Sequence, residues 1–317
     1  VLYGTDSKRL DQTTGPVKTQ LARDNTGWVH VKGLKSNTKY YYELGIQGSR
    51  GRSGRRGSFR TLPDTRNYVD PKLNPRGLFN FKFEFACGNN QNPKHSSGPT
   101  LPTFRTMLRE IADDINFAIL NGDWLYEVRR GYTPEQWLNQ VNVPKNKLPD
   151  LVKVAPTITG VWENYKFFMD QGMPLQQWHR NVPSFFTYDD HECLNDIWGA
   201  GTPGLRDRRA VFRDIGVQAW YDYLGWANPV SFKSNIHFST GKMKARSDVL
   251  TDENVDFTKL NLKDHSNLHV HWGTKTAGVN DTALDDLNDG VPNAQVYRIE
   301  KVLGPHQLRV WPAAKAD

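Results

Sequence analysis

The chain has 317 residues, which is more than one small core requires and suggests about two domains. Its two cysteines exclude a disulfide framework, and no run approaches the roughly 20 apolar residues that span a bilayer. The formal net charge of +7 leaves contact with a phosphate-rich polymer open.

Residues 1–62 alternate short strand-like runs with turns and show no helical period, which predicts a small all-β domain. Tyr40–Ile46 and Ser58–Thr61 are strand-like and flank a basic loop, so we expect a hairpin there. Five arginines lie within Arg50–Arg60. This loop is either a solvated turn, which we favour, or a contact for a polymer such as extracellular nucleic acid or teichoic acid. Residues 63–77 are expected to form a linker.

From residue 78 onward, strands alternate with helical segments, which is the pattern of an α/β unit. The expected strands are residues 79–86, 116–121 and 183–188, and the expected helices lie near 103–113, from 133 onward, at 161–168 and at 206–224. Thr133 is a good N-cap, and Pro134 suits the first helical turn. Residues 228–317 alternate again and predict a β-rich extension.

A carboxylate stands at the end of the second of these strands. Phe117–Leu120 is a short apolar run of the buried-strand type, and Gly122 and Asp123 follow it closely. Open α/β sheets bind ligands at the carboxyl ends of their strands. Tyr126 is near enough along the chain to reach the same point, and a carboxylate beside a phenol oxygen suits a hard metal ion. The alternative is a helix-capping aspartate with a packed tyrosine.

Two further strand ends carry groups that can bind a metal. Cys87 follows the alternating run Phe81–Phe85, where a thiolate is a competent ligand and a small buried hydrophobe is the alternative. The third strand ends in Asp189–Glu192, and burying four ionisable side chains without partners is costly. A solvated acidic turn is the alternative there. Three strand ends with such groups predict one metal site.

These residues resemble a known family. Gly122-Asp123-x-x-Tyr126 followed by Asp190-His191-Glu192 is similar to the metallophosphoesterase pattern of purple acid phosphatases and their relatives. Asp189 before that triplet, and Cys87 on the first strand, resemble more narrowly the alkaline phosphatase D family. Val29–Leu44 is similar to the fibronectin-like leading domain of that family. The resemblance implies a layered α/β metallophosphoesterase sandwich over 78–317, preceded by a fibronectin III-like domain over 1–62.

The resemblance also implies an activity, which is that of a secreted, periplasmic or cell-surface phosphomonoesterase or phosphodiesterase. In it, Asp123 would bridge two metals, Cys87 and Tyr126 would bind one of them, and Asp190 would hold the second. Such a cluster lowers the pKa of a bound water and neutralises charge that develops on phosphorus. The family implies iron with calcium, whereas the ligands alone also allow manganese or zinc.

The remaining candidates concern the substrate. His191 is the expected catalytic residue, able to hydrogen-bond a phosphate oxygen or to protonate the leaving alkoxide. Arg129 and Arg206 belong to two arginine clusters and are possible phosphate contacts, although Arg206 also fits the exposed face of a helix. His269 and His271 share one face of an expected strand and could bind a metal, but ordinary packing is the interpretation we favour.

Two departures from the family pattern matter. Cys87 lies between Ala86 and Gly88 instead of serine and glutamine, and no late Gly-Asp-x-His motif occurs before Asp317. Because Val1 already starts a strand-like run, we expect the chain to be a fragment. Because the late motif is missing, we expect its catalytic domain to be incomplete at the C-terminus. The competing hypothesis is a catalytically inactive phosphatase-like protein that binds a surface or polymer. The joint presence of the expected ligands and His191 argues against it.

Overall fold

The computed structural model describes residues 1–46, 55–197, 202–204, 209–227, 236–270 and 293–317. Its strands are β1 (Leu2–Gly4), β2 (Gln12–Thr13), β3 (Lys39–Glu43), β4 (Arg56–Arg60), β5 (Phe83–Ala86), β6 (Phe117–Asn121), β7 (Ser184–Thr187), β8 (Lys242–Met243), β9 (Val249–Thr251), β10 (Asn267–Val270), β11 (Gln295–Gly304) and β12 (Gln307–Trp311). Its α-helices are α1 (Pro102–Glu110), α2 (Pro134–Val141), α3 (Asp150–Val154), α4 (Ile158–Gln171), α5 (Met173–Asn181), α6 (Asp190–Cys193) and α7 (Arg209–Tyr223).

A parallel sheet of order β5-β6-β7 carries the three strand ends singled out by the sequence. Leu120 pairs with Ala86 on one side and with Phe186 on the other, so the three strands end nearly level with one another. Successive side chains point to opposite faces of the sheet. The face toward the main hydrophobic core includes the buried side chains of Ala118, Leu120 and Phe186. The predicted combination of helices with a sheet is confirmed.

The core beneath this sheet is built from large aromatic side chains on and around α4. Trp162, Tyr165 and Phe168 are inaccessible to solvent, and Trp124 and Trp178 pack in the same cluster. The start of α2 is as predicted, because the Thr133 hydroxyl accepts a hydrogen bond from the Gln136 N–H and Pro134 occupies the first turn. These helices form a layer whose buried side chains pack against those of the strands.

The first strand of the sheet is shorter than predicted. The sequence favours residues 79–86, but ladder pairing with β6 begins only at Phe83. Before that point, Phe79 and Phe81 contact each other and neighbouring rings instead of extending the ladder. Phe83 and Phe85 are about half exposed, so they mark the outward face of an edge strand, whereas Ala86 on the opposite face packs against the main core.

The leading residues form a four-stranded antiparallel sheet of order β2-β1-β3-β4. The predicted hairpin is present as β3 and β4, and Arg56 Nε donates to the buried Glu43 carboxylate at 2.6 Å. Residues 47–54 at its tip, with Arg50 and Arg52, lie outside the described residues. The phosphate-polymer contact and the fibronectin-like assignment therefore stay predictions.

Arg23 and Asp24, in the segment after β2, form hydrogen bonds with side chains of the helices. Arg23 Nε donates to Asp222 at 2.7 Å, and the Asp24 carboxylate accepts from Trp137 Nε1 at 2.6 Å and from the Tyr223 hydroxyl at 2.5 Å. Burial raises the pKa of Asp222 to about 6, against the lowering effect of Arg23. The predicted boundaries, with a first domain over 1–62 and a linker over 63–77, stay a prediction, but extensive polar contacts cross them.

The predicted β-rich extension is present as an antiparallel sheet of order β10-β11-β12-β9-β8 with its own core around Tyr297 and Leu308. His269 lies on β10, and its Nδ1 is hydrogen-bonded to the Asp214 carboxylate on α7. The structure thus places His269 in an ion-pair contact, while His271 lies outside the described residues. Within the described part of the chain, no helix has both the length and the apolar character needed to cross a membrane.

Asp24→Ala is expected to destabilise the fold by about 1–3 kcal/mol, because the buried Trp137 and Tyr223 donors lose their acceptor. The left-handed backbone at Asp24, with φ of 50°, adds to the cost for alanine. Urea denaturation followed by tryptophan fluorescence measures the change. Asp11→Ala, whose side chain is 54% exposed, is the control and is expected to change stability by less than about 0.5 kcal/mol. Equal midpoints for the two variants would contradict the role of Asp24.

Candidate metal centre

Backbone hydrogen bonds bring the loop after β5 against the loop after β6. The N–H of Gly88 donates to Gly122 O at 3.3 Å, and the N–H of Asn89 donates to Asp123 O at 2.7 Å. Gly122 has a φ of 80°, and a Cβ at this position would lie 2.5 Å from Asp189 Cβ on the loop after β7. Only glycine therefore allows the β6 and β7 loops to approach this closely.

The buried Glu192 carboxylate on α6 joins the ends of β6 and β7. It accepts from the N–H of Trp124 at 2.5 Å and of Asp123 at 3.1 Å, and from the N–H of Asp189 at 2.8 Å. Burial raises the pKa of Glu192 to about 7, although the three N–H donors lower it. The sequence analysis assigned Glu192 no role of its own. Its position three residues after Asp189, the spacing of a capping box, is the signal that could have found it.

Three of the predicted site residues converge directly. One carboxylate oxygen each of Asp123 and Asp190 and one ring nitrogen of His191 all lie within 4.8 Å of one another. Asp123 Oδ2 accepts from the Tyr126 hydroxyl at 3.2 Å, whereas Asp123 Oδ1 is buried and has no hydrogen-bond partner in the part of the chain that the structure describes. A buried carboxylate oxygen without a donor is costly unless a cation faces it. The side chains present therefore fit a metal ion.

The electrostatics of the neighbouring ligand candidates agree with this fit. Cys87 is exposed at the end of β5, and partial burial followed by the nearby carboxylates, Asp123 foremost, raises the pKa of its thiol. Burial and Asp123 likewise raise the pKa of the Tyr126 phenol above its ordinary value. A Cβ at Gly88 would lie 3.5 Å from Tyr126 Oη, so the loop beside Cys87 lies against this tyrosine. Both groups need a cation beside them to ionise at neutral pH.

A second carboxylate, which the sequence analysis did not single out, holds His191. Glu127 Oε2 lies 2.8 Å from His191 Nδ1, and Glu127 Oε1 accepts from the Asn195 N–H at 2.8 Å. Burial lowers the pKa of His191, but Glu127 together with Asp123 and Asp190 outweighs it, so the pKa is raised overall. The Tyr126 ring packs on the imidazole with 4.0 Å between centroids. Glu127 directly follows Tyr126 in the sequence, and no spacing rule distinguishes it there.

Of the two arginine candidates, the structure describes only Arg129. The Arg129 guanidinium stacks over the Phe167 ring at 4.4 Å from its centroid, and Arg206 lies outside the described residues. Arg130 is 5% exposed and donates from Nη2 to His191 O at 3.0 Å. It therefore supports the backbone of α6. The possible phosphate contacts of Arg129 and Arg206 stay predictions.

Glu192→Ala is expected to lower the free energy of unfolding by about 1–3 kcal/mol, because three backbone N–H groups, of which that of Trp124 is buried, lose their acceptor. Denaturant titration of the purified variant measures the change. The exposed Glu110→Ala is the matched control and is expected to stay within about 0.5 kcal/mol of the parent protein. If the two glutamate variants proved equally stable, Glu192 would not join the strand ends.

The chain is similar to proteins of a known family. The family model of PhoD-like phosphatases matches residues 81–245, which is slightly more than half of the chain. No curated protein sequence gives a significant match. A solved structure described as "Structure of PhoD" is similar with a TM-score of 0.43 and 17% identity, over 68% of this chain and 37% of that one. The chain spans well under half the length of that relative. On the family match, the chain belongs to the PhoD-like phosphatase family.

Proposed function

We propose that this protein is a metal-dependent phosphoester hydrolase. The observation that carries the proposal is the approach of Asp123 and Asp190 at the ends of two adjacent parallel strands, with His191 beside them and Asp123 Oδ1 buried without a hydrogen-bond partner among the described residues. A packed core would pair that oxygen with a donor, whereas a cation site leaves it open. Membership in the PhoD-like phosphatase family supports a phosphate ester as the substrate.

The ligand roles follow from which oxygens are still available. Asp123 would be the ligand shared by two ions, because its Oδ1 has no hydrogen-bond partner within the described residues and its Oδ2 accepts from Tyr126. Cys87 follows β5 and Tyr126 follows β6, and both would bind one ion together with Asp123. Asp190, the first residue of α6 after β7, would bind the other. Oxygen ligands with one thiolate and one phenolate allow iron with calcium, as the family resemblance suggests, and also manganese or zinc. Bound cations supply a Lewis acid and an activated water.

His191 is the residue we propose to act on the substrate. Its imidazole lies beside Asp123 and Asp190. The pKa of the ring is raised, so the imidazole stays protonated up to a higher pH than an ordinary histidine. A protonated imidazole can hydrogen-bond a phosphate oxygen or donate its proton to the leaving alkoxide. Arg129 and Arg206 are proposed as further phosphate contacts, and Arg129 must leave Phe167 to serve. A secreted, periplasmic or cell-surface location is part of the same proposal.

Asp123→Asn is expected to remove most of the bound metal and to lower hydrolysis by roughly 10²–10³-fold, since a metal supplies several kcal/mol of charge stabilisation. Metal content by mass spectrometry and the rate with p-nitrophenyl phosphate and bis-p-nitrophenyl phosphate measure the two effects. Asp113→Asn, which changes a side chain that is 96% exposed, is the matched control. Full metal and full rate in Asp123→Asn would refute the proposal.

His191→Ala is expected to separate chemistry from metal binding. We expect it to retain most of the metal and to slow hydrolysis of alkyl phosphates by about 10²–10⁴-fold, because poor leaving groups need a proton donor. With nitrophenyl esters the loss should be much smaller. Comparing kcat across substrates of rising leaving-group pKa tests this, and a uniform loss for all leaving groups would contradict the role of proton donor.

A further inference from the structure

Glu127 is placed to control the orientation of the proposed catalytic histidine. Its carboxylate contacts His191 Nδ1 at 2.8 Å, and the two side chains are only 11% and 17% exposed. The contact joins positions 64 apart in the chain, which is why no local pattern predicts it. At this distance and burial, the pair is a defined hydrogen bond instead of a transient surface ion pair.

The second oxygen of Glu127 restricts the carboxylate further. Glu127 Oε1 accepts from the Asn195 N–H at 2.8 Å, just after α6 ends. A backbone N–H can only donate, so this oxygen must act as an acceptor. With Oε1 held there, Oε2 faces His191, and an ionised carboxylate can only accept from the ring. His191 Nδ1 must therefore carry the proton in this hydrogen bond.

Two further contacts leave the imidazole little freedom to turn. The Tyr126 ring packs on it at 4.0 Å between centroids, and the buried Arg130 anchors the His191 carbonyl oxygen. The opposite ring nitrogen, Nε2, is then the atom left to act at the Asp123–Asp190 cluster.

We propose that Glu127 is a positioning residue, which fixes His191 with a proton on Nδ1 and presents Nε2 to the substrate phosphate. The inference rests on the proposed hydrolase function, because it names how that site is assembled. In the hydrolysis, a water oxygen forms a bond to phosphorus and the ester P–O bond breaks. The electron pair of that bond stays on the leaving alkoxide, which takes the proton from Nε2. Nε2 regains a proton from solvent, which also receives the proton of the attacking water.

Kinetics of Glu127→Gln provide the first test. The amide keeps the shape and one acceptor, but it no longer requires a proton on Nδ1. We expect kcat for an alkyl phosphate to fall about 10–100-fold with KM little changed and with metal content retained. The exposed Glu110→Gln is the control and should match the parent protein. A change confined to KM or to metal content would overturn the proposal.

A double-mutant cycle with His191→Ala provides the second test. If Glu127 acts only through His191, the variant carrying both Glu127→Gln and His191→Ala should be no slower than His191→Ala alone. Rate losses that multiply would show that Glu127 acts independently of the imidazole, and they would overturn the proposal.

A spectroscopic measurement separates this proposal from the function on which it rests. Long-range ¹H–¹⁵N spectra of ¹⁵N-histidine-labelled, zinc-loaded protein report which ring nitrogens carry protons, and His191→Ala assigns the resonance. We expect a protonated Nδ1 in the parent protein and loss of that preference in Glu127→Gln. An unprotonated Nδ1 in the parent protein would overturn the proposal. If the loaded parent protein hydrolyses no phosphate ester, the hydrolase function fails, and the spectra alone still decide the role of Glu127.

Discussion

The site depends on one buried carboxylate. Glu192 accepts hydrogen bonds from the backbone of both strand-end loops, so the ends of β6 and β7 are held to a single side chain. Three N–H donors converge on this carboxylate and partly offset the cost of removing it from water. Asp123, whose backbone is left-handed, is held directly by this contact through its own N–H.

The carboxylates so gathered make the site strongly anionic. Burial and mutual repulsion raise the pKa values of Asp123, Cys87 and Tyr126, which is the expected behaviour of ligands brought together without their counter-charge. The fold therefore holds groups that repel one another when ionised close together at this site. The aromatic core beneath α4 and the contacts of Arg23 and Asp24 with the helices supply a rigid support against that repulsion.

Polar contacts couple the leading sheet to the helices across the predicted domain boundary. Turn-rich residues 1–62 suggest an independent unit, yet Asp24 is buried among Trp137, Tyr223 and Lys166 of the α/β unit. A buried carboxylate with three such partners is a cooperative contact, because losing any one partner leaves a charge in a medium of low dielectric. The leading residues and the helices are thus coupled in stability.

By itself, the sequence determined much of the local structure and supplied most of the candidate site residues. The apolar run into Asp123, the Thr133 cap and the run Asp189–Glu192 each have a local cause, in periodicity or in capping chemistry. The contact of Glu192 with the end of β6 and the role of Glu127 were decided only by the tertiary structure. The β6 donors of Glu192 and the His191 partner of Glu127 lie more than 60 residues away along the chain, so no local spacing specifies these two contacts.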